Sequence, residues 1–256
     1  MLLADILGMK KLIESRSLEL IAKSVMRVLS SGAMPLNRFE YSGVTEDDLL
    51  KLGFHQTQGP IGALVSDGLL LIHPTTDELR DLEMSLRRTI EIFNALSCIC
   101  SQNDIWVRGA FSFGDCYLEN HDAGLIMLGA PIVEAFEWEK KQQWIGAILA
   151  PSAMQLLDQM GERAGKVWTD PIYGPLGGGL GEERSASNSL LARYNVPLKD
   201  GETYNTYAVN PSCFPNHILV PQFKTPTQNK NDAPDVTAKI KNTLDYFAHI
   251  AANSRE

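Results

Sequence analysis

Apolar positions along the chain fall at two spacings, and the switches between them mark the elements. Met1 to Ile6 is a short apolar run, the pattern of a buried strand. From Lys11 to Leu29 the apolar residues (Leu12, Ile13, Leu18, Ile21, Ala22, Val25, Val28) recur at helical spacing. Ser31 to Leu52 is mixed, with Pro35 and the acidic Glu46-Asp47-Asp48, and reads as a loop plus a short helix. Ile61 to Ile72 holds two apolar runs around Ser66-Asp67-Gly68, a hairpin signature because an Asp-Gly pair turns at little steric cost. Asp77 to Ser97 has a helical stripe of Leu79, Leu82, Leu86, Ile90, Phe93 and Leu96.

The second half continues in the same way. Trp106 to Phe113 predicts a strand ended by Gly114-Asp115, Asn120-His121-Asp122 a turn, and Leu125 to Leu128 the returning strand. Ala130 to Gln143 predicts a helix, Ile145 to Leu149 a strand, and Pro151-Ser152 the start of a helix reaching about Met160. Trp168 to Ser189 is rich in Gly and Pro and reads as a mobile loop. Tyr194 to Leu198 and Tyr204 to Val209 predict a hairpin around Lys199-Asp200-Gly201; Pro211 to Pro234 is irregular, and Val236 to Ala252 is a final amphipathic helix. Hairpins mixed with crossover helices predict an α+β fold with a mixed sheet, not a doubly wound parallel one. The order contains a βαββαβ unit of the ferredoxin-like kind. The expectation is one domain over 1–256, with a core to about 210 and a C-terminal extension over 211–256.

Composition narrows the function. Of 256 residues, 31 are acidic and 23 are Lys or Arg, a net charge of −8. That argues against broad binding to nucleic acid polymers or anionic membranes, though a small anionic substrate needs only a local cluster of lysines or metal ions. Met1-Leu2-Leu3-Ala4, interrupted by Asp5, is too short for a secretory core, and no apolar run reaches the roughly 18 residues of a membrane helix. Cys98, Cys100, Cys116 and Cys213 match neither a zinc site nor a disulfide framework. Reduced thiols and a cytoplasmic location are expected. No GxGxxG occurs, which disfavours a dinucleotide fold.

Two aspartates carry the candidate chemistry. Asp5 ends the first strand and Ile6-Leu7-Gly8 leads into a helix, whose free N–H groups suit phosphate. Asp67 lies at a hairpin tip. Alone, each has a plain reading, a helix cap and a turn residue. In a βαββ unit the first strand and the hairpin are sheet neighbours. Two carboxylates so placed suit a pair of hard divalent cations, an arrangement that activates an attacking hydroxyl and neutralises a leaving pyrophosphate.

At this point the motifs resemble a family. Ala4-Asp5-Ile6-Leu7-Gly8-Met9 is similar to the first-strand motif of class III nucleotide cyclases, and Leu64-Val65-Ser66-Asp67-Gly68-Leu69-Leu70 to their second metal-binding hairpin. Arg108-Gly109-Ala110-Phe111-Ser112-Phe113-Gly114, Gly129-Ala130-Pro131-Ile132-Val133-Glu134-Ala135, and Val196-Pro197-Leu198-Lys199-Asp200-Gly201 with Thr206-Tyr207 follow in family order. The resemblance implies that Asp5 and Asp67, with the carbonyl of Ile6, hold two Mg²⁺ or Mn²⁺ ions. It implies that Leu7, Gly8, Met9, Lys10 and Lys11 cradle the phosphates and that Lys199 contacts them. The 3′-hydroxyl would attack the α-phosphorus, giving a 3′,5′-cyclic nucleotide and pyrophosphate.

The departures from the family pattern are informative. Where purine-selective members have a lysine and a polar residue reading the base, this chain has Ala63 and Ile126. A pocket without polar groups on a purine edge gives up much of its discrimination. The helix Asn and Arg that support the transition state align with Val133 and Glu137. The start, the Ser-Asp turn, the Arg-Gly strand and the helix Glu134-Ala135-Phe136 with Glu139 are similar to the bacterial pyrimidine cyclases of Pycsar anti-phage systems. That likeness implies a homodimer with composite sites, a cUMP or cCMP product from UTP or CTP, and a separate effector that senses it. Arg108 and Glu134 stand as positions for a transition-state or dimer contact, and Arg87-Arg88 as a solvated helix face or an arginine reaching across a dimer. Two alternatives remain: a degenerate cyclase fold that binds nucleotide without chemistry, and a purine cyclase with an atypical pocket. Gly177-Gly178-Gly179-Leu180-Gly181 lacks the ending of a P-loop and reads as flexible. Cys98-Ile99-Cys100 reads as core packing at a helix end, and His55 and His73 as exposed or hydrogen-bonded histidines rather than ligands.

Overall fold

A computed structural model describes residues 1–7, 61–65, 68–75, 78–121, 124–160, 190–211, 222–229 and 232–253. Its strands are β1 (Leu2–Leu7), β2 (Ile61–Val65), β3 (Gly68–Ile72), β4 (Trp106–Phe111), β5 (Tyr117–His121), β6 (Gly124–Leu128), β7 (Ala147–Leu149), β8 (Leu191–Pro197) and β9 (Thr203–Val209). Its helices are α1 (Leu79–Gln102), α2 (Ala130–Lys141), α3 (Pro151–Gln159) and α4 (Pro234–Asn253). The helices expected within 11–52 and the Gly-rich segment at 177–181 lie outside the described residues.

Seven strands form one sheet in the order β2-β3-β1-β4-β7-β9-β8. β4 and β7 pair in parallel and the other neighbours pair antiparallel. The fold is α+β with a mixed sheet, as the element order predicts. The run β2-β3-β1-β4 is the ferredoxin-like order, in which the first strand sits between the hairpin and the fourth strand.

Strand residues alternate between the two faces of the sheet, and each face has its own cover. On one face Leu2, Ala4, Val107, Phe111, Ala147 and Leu149 pack against Leu86, Ile90, Phe93 and Leu96 of α1 and Leu156 and Leu157 of α3. Gly109 lies where β4 crosses β1, and a Cβ there would come within 2.7 Å of the Leu3 carbonyl oxygen, so only glycine allows this approach. On the opposite face Leu3, Leu70 and Ile72 meet Ala135 of α2, with Leu118 and Met127 of β5 and β6 packed beside them. Further along that face, Ala110, Ile148, Val196 and Ala208 meet Trp144 and, from α4, Tyr246 and Ile250.

The main departures from the sequence reading fall at three places. The strand at Leu125 to Leu128 does not return along β4. It pairs with a further strand, β5, in a separate two-stranded sheet. Tyr117-Leu118-Glu119-Asn120-His121 turns one aliphatic residue inward among polar ones, so no apolar run marks it. α1 continues past Ser97 to Gln102 because Cys98 and Cys100 extend its buried side, and the Cys98 thiol donates to the Pro211 carbonyl at 3.6 Å. β8 begins at Leu191, ahead of the expected Tyr194, because the fully buried Leu191 joins the α1 face.

Candidate active site

One row of residues crosses four strands at the end of β1. Val65 faces Gly68, Gly68 faces Asp5, and Asp5 faces Arg108. Facing residues in an antiparallel pair project to the same side, with Cβ atoms about 5 Å apart. Asp5 and Arg108 therefore share the face covered by α2, while Ile6 points to the opposite core. Asp5 is half-buried, and its neighbour on β3 is a glycine, so no side chain rises beside its carboxylate from that strand. Asp67 precedes Gly68 by one peptide bond in the sequence, and its own position, with residues 8–11, lies outside the described residues. Two residues along the strands, Ala63 faces Leu70 and Leu70 faces Leu3.

Arg108 is turned inward. Its Nε donates to Glu139 at 2.7 Å, its Nη2 also donates to Glu139, and its Nη1 donates to the Gln142 carbonyl at 3.0 Å. Both side chains of the pair are about 95% buried. Arg108, expected as a transition-state or dimer contact, has all three guanidinium nitrogens engaged inside the fold. Gln142 completes the arrangement. Its amide nitrogen donates to the Gly109 and Trp138 carbonyls, and its amide oxygen accepts the Trp144 indole N–H at 2.7 Å. Glu139 was visible in the sequence only as part of a motif, and Gln142 was missed. The usable signal for Glu139 was a charged residue on the buried stripe Pro131, Ala135, Glu139 of α2.

Glu134 also has a structural task. It accepts from the Ser152 amide at 3.1 Å and from the Ser152 hydroxyl, tying the first turn of α2 to the start of α3. An anionic side chain is well placed at a helix N-terminus, where amides lack partners. Arg87 pairs with Glu91 one turn on along α1. Val133 is 59% exposed and Glu137 is exposed too, so the two α2 positions aligned with the transition-state residues face outward. Ile126 is exposed on β6, apart from the Ala63 row.

Lys199 sits in the β8–β9 hairpin, whose tip uses Gly201 at φ +88. Its amide donates to the Lys141 carbonyl at 2.9 Å, which pins the hairpin to the end of α2. Partial burial, then the positive charges of Arg108 and Lys239, push the Lys199 ammonium below its ordinary range, while Glu139 and Asp235 oppose this. The structure thus brings Lys199 into the electrostatic neighbourhood of the residue facing Asp5.

Two histidine and cysteine readings have different outcomes. His73 is buried, and among the described residues neither ring nitrogen has a hydrogen-bond partner, unlike the exposed or hydrogen-bonded histidine expected; burial and Arg88 lower its pKa to about 4. His55 lies outside the described residues. Cys98 and Cys100 are buried free thiols pushed up to about 12, as core packing requires. Among the described residues no group of three or more His, Cys, Asp or Glu forms a metal cluster. The donors the sequence reading names for a cation, the Asp5 carboxylate, the Ile6 carbonyl and Asp67, are hard oxygen ligands of the kind that suit Mg²⁺ or Mn²⁺.

No family model matches the chain. No curated protein matches it either. Among solved structures, the adenylyl cyclase CyaB from P. aeruginosa is similar, with a TM-score of 0.47 and 13% identity over 81% of this chain and 91% of that one. A likeness of that degree does not transfer an activity.

Proposed function

We propose that the chain is a metal-dependent nucleotide cyclase that converts UTP or CTP to the 3′,5′-cyclic nucleotide and pyrophosphate. The observation that carries this reading is the register Asp5 to Gly68, which sets the strand-end carboxylate opposite the residue that follows Asp67 in the sequence. Asp5, Asp67 and the Ile6 carbonyl would hold two Mg²⁺ or Mn²⁺ ions. When bound, such ions supply charge neutralisation on the phosphates and a lowered pKa for a hydroxyl. The backbone of residues 7–11 would bind the phosphates and Lys199 would add a positive charge. O3′ then bonds to the α-phosphorus as the bond to the bridging oxygen breaks, and pyrophosphate leaves. Ala63 favours the pyrimidine reading, because its methyl group offers no hydrogen bond to a purine edge.

The assembly in this reading is a homodimer with composite sites. Tyr117, Ile126 and Leu128 on the outer side of β5–β6, with Val133 on α2, are exposed large hydrophobics that a second copy would cover. The cyclic nucleotide would act as a second messenger, sensed by a separate effector in anti-phage defence. No described helix is long and apolar enough to cross a membrane.

The test is to incubate the pure protein with Mn²⁺ and each of the four nucleoside triphosphates and identify products by mass. Cyclic UMP or cyclic CMP is expected. Turnover of ATP or GTP alone would assign a purine cyclase, and no product from any of them would overturn the reading. The outward Val133 and Glu137 favour one rival, a cyclase-like domain that binds nucleotide without chemistry. Calorimetric binding of UTP with metal, without product, would establish that rival.

A further inference from the structure

The end of α2 is bonded to two elements at once, and Gln142 joins them. After Lys141 the chain leaves the helix for an extended backbone at Gln142. Three successive residues there meet the β8–β9 hairpin. The Lys199 amide donates to the Lys141 carbonyl at 2.9 Å, Gln142 bridges to Leu198, and the Gln143 amide donates to the Pro197 carbonyl at 2.9 Å. The Gln142 side chain reaches β4. Its amide nitrogen donates to the Gly109 carbonyl of β4 and the Trp138 carbonyl of α2, both at 2.9 Å, and its amide oxygen accepts the Trp144 indole N–H. Its backbone carbonyl accepts from Arg108, also of β4. Gln142 is fully buried, where an amide is costly unless it is bonded. An apolar side chain of the same volume would fill the space without that cost. It would not fix the angle between α2 and β4, because apolar contact is non-directional and hydrogen bonds are directional.

The hairpin held in this way carries Lys199. Its tip is closed on itself: Leu198 donates to the Glu202 carbonyl at 2.9 Å, Gly201 to the Leu198 carbonyl at 3.1 Å, and the Glu202 amide to Asp200 at 3.0 Å. The place of the tip is therefore tied to the place of the end of α2. Lys199 itself is exposed, and Arg108 and Lys239 are the cations that act on it, surroundings that a polyanion relieves. We infer that Gln142 is a positioning residue for Lys199: by bonding the end of α2 to β4, it sets where the hairpin presents the Lys199 ammonium to phosphate. The inference rests on the phosphate contact of Lys199 in the reading above and is independent of the metal ligands.

Inorganic triphosphate, without metal or nucleoside, is the probe. Binding to the full chain is read by titration calorimetry and folding by circular dichroism. Lys199→Ala is expected to weaken binding about tenfold, the order of one charge-assisted hydrogen bond. Gln142→Met keeps the side-chain volume, removes the amide and is expected to weaken binding about fivefold, a part of the same contact. The double variant is expected to bind within about twofold of Lys199→Ala alone, because the amide acts only through the ammonium. A merely structural role would leave the two losses additive. Additive losses, or folded Gln142→Met with wild-type affinity, overturn the inference and leave the phosphate contact standing. Wild type that does not bind triphosphate, or Lys199→Ala that binds as wild type does, removes the phosphate contact and the inference with it. If Gln142→Met does not fold, Gln142→Asn, which keeps the amide one methylene short of its partners, decides on the same cycle.

Discussion

The α2 face of the sheet has two halves built on opposite plans. Over β7, β9 and β8 it is filled. Trp144 meets Tyr246 edge-on at 4.9 Å, Tyr194 lies 4.9 Å from Tyr246, and their rings are covered by α4. Polar atoms there are paired: the Trp144 indole with Gln142, the Tyr246 hydroxyl with the Ala208 carbonyl, and Thr243 with the Ile145 amide at 2.8 Å. Over β1 and β3 the row at Asp5 holds a half-buried carboxylate and a glycine. The filled half is a frame whose groups are satisfied by one another. The other half puts a half-buried carboxylate where the filled half puts aromatic rings.

Four measurements would break or sharpen that contrast. Asp5→Asn is expected to lower cyclic nucleotide formation about a thousandfold, the loss of a charged ligand to metal. Its unfolding free energy, read by denaturant titration, should move by no more than about 1 kcal/mol, since Asp5 is half-buried. Trp144→Ala should do the reverse. Removing a fully buried indole from the aromatic cluster costs about 3–5 kcal/mol of stability, with Mn²⁺ affinity unchanged in protein that remains folded.

The third effect is a pH dependence. His73 titrates at about 4 when folded, because burial and Arg88 disfavour its charged form, against an ordinary 6.5. Between these values the unfolded chain binds a proton that the folded one refuses. Stability from this group is therefore full above pH 6.5 and falls as pH drops toward 4, by about 3 kcal/mol in total. Denaturant midpoints measured across that window should flatten in His73→Leu. An unchanged slope would place the histidine in contact with water. The smallest effect is Thr243→Val, which strands the Ile145 amide. It should cost about 1–3 kcal/mol in the same denaturant assay and leave nucleotide turnover as it was.

Much of the framework was legible in the residues. The βαββ order, the Asp-Gly hairpin and the buried strand starting at Leu2 follow from local periodicity and turn chemistry, which act over a few neighbouring residues. These were enough to place Asp5 beside the hairpin before any coordinates. β5 was not legible, because a strand with one inward aliphatic residue has no periodic signal of its own. His73 was misread because nothing in its neighbours along the chain tells whether the fold will bury it.

What the sequence by itself determined is therefore the set of elements, their order and the chemistry available at the strand end. Local propensity and the two-residue alternation of a strand dictate those. Only the tertiary structure decided the partners. It faced Asp5 with Arg108, brought Glu139 from a distant helix to neutralise that arginine, and assigned Glu134 to cap α3. Residues 31 positions apart, such as Arg108 and Glu139, meet only through the crossing of a helix over a sheet. Charge compensation is a property of that crossing, and the spacing of residues along the chain does not record it.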